Sequence, residues 1–211
     1  MYSCYMKADH SKSISHLKKD VRFRELIKKH GLPDIERYHG KIDVFQALLR
    51  SIVYQQLSGK AAATILSRVV ALFPDGKPTP EALLKIRTPR LRKAGLSGQK
   101  VEYVRDLARK CLDGTIDQKK FPKMTSDEII AHVTAVKGIG TWSAHMLLIF
   151  SLNRLDILPV GDLGIRKGFQ IVYKLDKLPS EKEMEKLAKD WRGHASVAAW
   201  YLWREADDAK E

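Results

Sequence analysis

Val136-Lys137-Gly138-Ile139-Gly140-Thr141-Trp142 is the stretch whose reading decides the fold. It joins an apolar-periodic run at 126–136 to another at 141–152, with two glycines in the join. Glycine accepts positive φ and admits a neighbouring backbone, so the stretch reads as a turn that folds two helices back on each other. Ile139 then plugs between those helices. The amides of Gly138 and Gly140 fall at the start of the second helix, where unbonded N–H groups point outward and the dipole favours an anion. A nucleic-acid phosphate suits that chemistry without any reading of base sequence. Gly-x-Gly by itself reads first as an ordinary helical hairpin with a glycine stop. A helix set directly against each side of the turn strengthens the phosphate-binding reading.

Helical periodicity extends in both directions from the turn. Apolar positions at Leu17, Val21, Phe23, Leu26 and Ile27 predict one or two helices over 14–30, stopped by Gly31-Leu32-Pro33. Val44, Phe45, Ala47, Leu48, Leu49, Ile52 and Val53 give a wide apolar face over 43–56, with Asp43 as N-cap. Further helices are expected at 58–73, 80–86, 89–94, 99–113, 126–136, 141–152, 163–173, 180–190 and 194–207. Thr79 precedes Pro80 as a cap, Thr125 or Ser126 caps the run at 126, and Thr141 caps the run after the glycines. No strand pairing or internal repeat is visible, and the fold class is all-α.

The 38 Lys and Arg residues against 25 Asp and Glu give a net charge of +13 and a pI near 9.7. Such a balance favours a polyanion, nucleic acid first and an anionic membrane surface second. The clusters Lys18-Lys19, Arg22, Arg24, Lys28-Lys29 and Lys119-Lys120 read as solvated faces that broaden the electrostatic footprint. No apolar run is long enough to span a bilayer, and Met1-Tyr2-Ser3-Cys4 lacks a secretory apolar region. Cys4 and Cys111 are too few for a four-thiolate cluster and read as free thiols in a reducing compartment.

Asp162 lies 22 residues after Gly140, at the end of Leu158-Pro159-Val160-Gly161-Asp162 and just before a helical run. On its own it is a helix N-cap, and most such aspartates do nothing else.

Several ordered motifs together carry a resemblance over roughly 40–205. They are Phe45 to Ser58, Gly95-Leu96-Ser97-Gly98-Gln99-Lys100 with Tyr103 and Asp106-Leu107-Ala108, the glycine turn, and Leu158 to Gly168. They resemble the helix-hairpin-helix (HhH-GPD) DNA glycosylases, most closely the alkyladenine branch of 3-methyladenine DNA glycosylase II type. The resemblance implies two helical lobes with a DNA-binding cleft between them. One lobe would span 41–152, and the other 1–40 plus 153–211. It makes Asp162 the catalytic carboxylate, which stabilises the positive charge that grows on the sugar or orients water toward C1′. Asp156 matches nothing in the motif.

Members that also cut the strand carry a Schiff-base lysine two residues after the Gly-x-Gly. Trp142 stands there, which implies base removal alone. The target base must leave the stack. The resemblance implies a pocket of Trp142, Met146 and Tyr54, where an electron-rich ring attracts a cationic alkylated purine. For Met146, as for Ile149, a plain core position is an equal reading. Gln55-Gln56-Leu57-Ser58 resembles the wedge loop, with Leu57 entering the stack and Gln56 meeting the orphaned base; a buried corner leucine is the plainer reading of Leu57. Phosphate contact is expected of Lys137, Gly138, Ile139, Gly140 and Thr141.

Near the C-terminus, Gly193-His194-Ala195 departs from the family's Pro-aromatic-Arg. His194 takes the place of a pocket aromatic, where it could stack, hydrogen-bond or cap a helix. Trp200 and Trp203 read as core. The resemblance further implies a structural Na+ or K+ on the main-chain carbonyls of Thr134, Val136 and Ile139. No catalytic cofactor is required, and no iron–sulfur cluster is expected.

The expected activity is hydrolysis of alkylated purines from double-stranded DNA in base excision repair. A monomer is expected, away from membranes, in the cytoplasm and nucleoid or in a eukaryotic nucleus. The alternatives are a glycosylase for oxidised, deaminated or mismatched bases, and a non-catalytic helix-hairpin-helix module that binds DNA. A protein that binds RNA or a membrane surface has no aromatic signature or amphipathic anchor behind it.

Overall fold

Each predicted apolar run folds as a helix, and most helices begin on a capping residue. The computed structural model describes residues 10–35 and 43–209, so Cys4 lies outside the described residues. Among the described residues there is no strand, and no helix is long and apolar enough to cross a membrane. Three single turns of 3-10 helix, at Pro74–Gly76, Phe121–Lys123 and Lys189–Trp191, went unread in the sequence because so short an element has no periodicity. The chain divides into a central unit, Ile42–Leu147, and a terminal unit, Met1–Lys41 with Leu148–Glu211. The second boundary falls inside a helix, whereas the sequence suggests a break at 152, where that helical run ends.

The terminal unit holds α1 (Ser11–Leu17), α2 (Val21–His30), α10 (Leu163–Tyr173), α11 (Glu181–Leu187) and α12 (Ala195–Asp208). The central unit holds α3 (Val44–Tyr54), α4 (Gly59–Val70), α5 (Pro80–Lys85), α6 (Thr88–Lys93), α7 (Gly98–Leu112) and α8 (Ser126–Thr134). Helix α9 (Thr141–Phe150) begins in the central unit and ends in the terminal one.

In the central unit Asp43 accepts from the Gln46 amide and Thr79 from the Ala82 amide, as their sequence positions predict. Thr125, rather than Ser126, caps α8 and forms a reciprocal capping box with Glu128. The core is aliphatic, with Leu48, Leu49, Ile52, Val69, Leu83, Leu91, Leu107 and Val133 all at 1% exposure or less. Cys111 is a free thiol on α7, and burial pushes it up to about 12, which makes it a poor nucleophile.

The terminal unit is built on α10 against α12. A Cβ at Gly168 would lie 2.4 Å from the Leu202 carbonyl oxygen, so only glycine permits this approach. The Phe169 ring stacks on Trp191, and Phe23 meets Trp191 edge-on. Tyr201 donates to the Gly31 carbonyl and Trp200 Nε1 to the Asp34 carbonyl, which fasten α12 to the end of α2 and the segment after it. The buried Ser196 hydroxyl donates to the Arg154 carbonyl (2.6 Å) and accepts from the Ile157 amide (3.0 Å), pinning the loop that leads to Asp162. Arg22 and Lys29 are exposed, as the solvated reading expects, and both are paired at the surface. Arg22 bonds Asp20 and lies over Tyr173, and Lys29 bridges Glu205 and Asp208.

Candidate active site and nucleic-acid interface

The two glycines of the hairpin do different work. Gly138 has φ +77°, and a Cβ there would lie 2.1 Å from a Tyr103 ring carbon, so the turn closes over that ring. The neighbouring Lys137 amide donates to Asp106 Oδ2 (2.9 Å), and the Lys137 side chain is exposed. Ile139 is buried beneath the turn. Gly140 has no positive φ, and a Cβ there would meet nothing within 4 Å. Its carbonyl accepts the first bond of α9, from Ala144. Gly140 therefore fills the capping position that the sequence suggests for Thr141, which lies exposed inside the helix. The fold demands Gly138, while at Gly140 the absent side chain leaves the amide end of α9 open to solvent.

Residues after α3 form the second element. Gln56 adopts φ +56°, an uncommon left-handed conformation, and Ser58 stands at the N-cap of α4 without a capping bond. Leu57 is 39% exposed, which argues against a buried corner leucine and leaves an apolar side chain presented to solvent. Gln55, expected as a DNA contact, is partly exposed and bonded within the protein. Its side-chain amide donates to the Gly138 carbonyl (2.7 Å), which ties the loop to the hairpin turn.

Helix α7 braces both elements. Lys100 donates to the carbonyls of Val53 (2.8 Å) and Gln55 (2.7 Å) at the end of α3, and burial pushes its ammonium pKa down. One turn on, Tyr103 underlies Gly138 and accepts from Gln99 Nε2, and Asp106 holds the turn amide. The spacing Lys100, Tyr103, Asp106 puts all three on one helix face. In the sequence these residues belong to a motif whose task is not visible. Lys100→Met removes two charge-assisted hydrogen bonds, and a loss of about 2 kcal/mol is expected, which thermal denaturation reads as about 4–8 °C.

The α9 face presents Trp142 at 48% exposure, an unusual setting for a tryptophan and a suitable one for stacking. Met146 is half-buried, and Ile149 is buried core. His145, unread in the sequence, is half-buried, and desolvation pushes its imidazole pKa down. The Arg50 guanidinium lies 4.0 Å from the centroid of Tyr54, so one face of that ring is already covered.

The turn Pro159–Asp162, closed by the Asp162 amide onto the Pro159 carbonyl, delivers Asp162 to the N-cap of α10. Its Oδ1 accepts from the Ile165 amide and from Trp203 Nε1, both at 2.9 Å. Trp203 is therefore more than core. It lies half-exposed on α12, stacked on Phe150 with ring centroids 5.6 Å apart, and it fixes the carboxylate in space. Gly164 makes this possible, since a Cβ there would lie 2.9 Å from Trp203 Cδ1 and 3.0 Å from Asp162 Oδ1. Trp203→Phe keeps the stack but removes one donor. For the base release that the resemblance implies, the predicted result is a rate slowed about tenfold, the size of one lost hydrogen bond to a charged group, with the melting temperature nearly unchanged.

His194 occupies the N-cap position of α12 but makes no side-chain cap. Its Nδ1 meets the buried Ser13 hydroxyl (2.9 Å), and its ring lies 4.4 Å from that of His16 on α1. It thus faces α1, and no partner assigns it to a base pocket. Helix capping, one of the roles its sequence position allowed, is not what it does.

With this geometry in place, the chain matches the family described as HhH-GPD superfamily base excision DNA repair protein over residues 49–193. It is 34% identical over 187 residues to DNA-3-methyladenine glycosylase 1 of Schizosaccharomyces pombe, covering 88% of this chain and 82% of that one. Its fold superposes on the Schizosaccharomyces pombe 3-methyladenine DNA glycosylase in complex with abasic DNA, with TM-score 0.84 and 32% identity, over 93% of this chain and 97% of the other. A DNA-3-methyladenine glycosidase from Bacillus halodurans superposes with TM-score 0.83 and 34% identity, over 99% and 95% of the two chains.

Proposed function

The chain belongs to the HhH-GPD superfamily of base excision DNA repair proteins, and on that premise we infer that it is a DNA glycosylase removing alkylated purines of the 3-methyladenine type. The observation that carries the reading is Asp162, fixed through Oδ1 by two N–H donors at the start of α10. A carboxylate held in this way can stabilise an oxocarbenium-like sugar without moving. Water adds to C1′, the N-glycosidic bond breaks, and its electron pair leaves with the base. An alkylated purine that starts cationic departs neutral, and the proton of the attacking water passes to solvent. One carboxylate suffices because the leaving group is already good. The reaction needs no redox or covalent cofactor.

The enzyme is monofunctional. Trp142 occupies the place where a strand-cutting relative has its lysine, so no amine is set there to attack C1′. In this reading Trp142 and Met146 stack on the flipped base, Leu57 fills the gap with Gln56 beside it, and Lys137, Gly140 and Thr141 meet a phosphate. The carbonyls of Thr134, Val136 and Ile139 are hard oxygen donors suited to an alkali cation. The Val136 carbonyl accepts one bond, from the Ile139 amide, and keeps a second lone pair. A bound Na+ or K+ would add charge for the phosphate to meet.

Duplexes carrying one alkylated purine, one oxidised purine, one deaminated base or one mismatch, treated with alkali after incubation, test the substrate class. Alkali-dependent breaks are expected at the alkylated purine above all others. Breaks at another lesion instead would move the enzyme to a different specificity. The phosphate grip has its own test. Gly140→Val places a side chain in open space at the amide end of α9, and about tenfold weaker binding to undamaged duplex is expected in a titration, with the fold intact. Gly138→Val cannot serve, because it drives a side chain into Tyr103.

A further inference from the structure

A second concentration of functional groups lies in the terminal unit. Ser11, Lys12, Ser15, His16 and Lys19 of α1 and the loop after it, with His194 at the start of α12, line an open depression of about 460 Å³. No carboxylate side chain is among the lining residues. The side chains of Lys12, Ser15 and Lys19 make no hydrogen bond or ion pair among the described residues. The two imidazoles are held in place from behind. His16 Nε2 donates to the Asp190 carbonyl (2.6 Å), which leaves its Nδ1 as the remaining ring nitrogen. His194 Nδ1 meets Ser13, which leaves its Nε2. The rings sit 4.4 Å apart. Burial and the nearby His16 push the His194 pKa down, Asp156 acts in the other direction, and Lys19 adds a smaller downward push.

We propose that this depression is a binding site for a phosphate group, held by Lys12 and Lys19 and by His16 and His194 acting as N–H donors. Two ammonium groups beside two fixed imidazoles, with no carboxylate in the lining, disfavour further positive charge until an anion enters. A phosphate supplies several acceptor oxygens and the charge that lets both rings protonate. The chemistry is common to a phosphodiester of DNA and to a free phosphate monoester or inorganic phosphate. The site is independent of the glycosylase reading, since it shares no residue with Asp162 or the hairpin.

The test follows the histidine ring C–H signals of the whole protein by NMR against pH, in sodium phosphate and in sodium chloride of equal ionic strength. Phosphate is expected to raise the apparent pKa of His16 and His194 by about one unit relative to chloride. The effect is expected to vanish in a Lys12→Gln, Lys19→Gln double variant, whose exposed changes leave the melting temperature unaltered. Equal curves in the two salts, or an effect that survives in the double variant, would overturn the proposal. Undamaged duplex DNA distinguishes the source. If the occupant is a backbone phosphate, DNA reproduces the shift and the double variant lowers the salt slope of binding by about 1–2. If it is a free phosphate, inorganic phosphate alone gives the shift and the slope is unchanged.

Discussion

Asp162→Asn slows base release by about 10²–10³-fold in single-turnover assays, while binding to lesion DNA is retained. Asparagine has nearly the shape of aspartate and keeps an oxygen where Oδ1 lies. It can still accept from the Ile165 amide and from Trp203 Nε1. Asparagine is also as good an N-cap as aspartate, so α10 keeps its start and stability changes by less than about 0.5 kcal/mol. What is removed is the negative charge beside the sugar. The substitution therefore separates the cap that Asp162 forms from its proposed role as electrostatic partner of the transition state. A variant that melts like the parent and releases base at the parental rate shows Asp162 to be a cap alone.

Gly168→Ala is expected to give the largest loss of stability, about 3 kcal/mol, read as a fall of about 6–12 °C in melting temperature. The added methyl would lie 2.4 Å from the Leu202 carbonyl oxygen and 2.7 Å from the Leu202 Cβ. A backbone oxygen cannot turn aside as the end of a side chain can, so α10 and α12 must move apart. Asp162 begins α10 and Trp203 follows Leu202 on α12, so separation also breaks the bond between them. Activity should fall below the level that the loss of folded protein explains. The same insertion at Gly161 meets nothing within 4 Å, so Gly161→Ala is the matched control.

The features legible in the sequence were those that local chemistry dictates. Caps at Asp43, Thr79 and Asp162 and the apolar periods between them located the helices within a few residues. The glycine turn was legible as a turn, but the division of labour between Gly138 and Gly140 was not. It depends on Tyr103, more than 30 residues earlier in the chain. The same limit hid Lys100, whose partners are carbonyls at Val53 and Gln55, because a main-chain acceptor leaves no residue signature. Trp203 read as core because its apolar spacing is that of a buried helix face. Only the fold reveals that its N–H reaches a carboxylate 41 positions away. His194 looked like a capping or pocket residue from its position at a helix start, and its actual partners, Ser13 and His16, lie near the opposite end of the chain.

The activity proposed for the protein is to sever the bond between an alkylated purine and its sugar and leave the strand intact. Chromatography of the small molecules freed from methylated duplex DNA measures it most directly, with the same DNA run on a denaturing gel. Free 3-methyladenine or 7-methylguanine is expected in solution, with strands that break only after alkali. Strands cut without alkali, or DNA bound with no base set free, would contradict it.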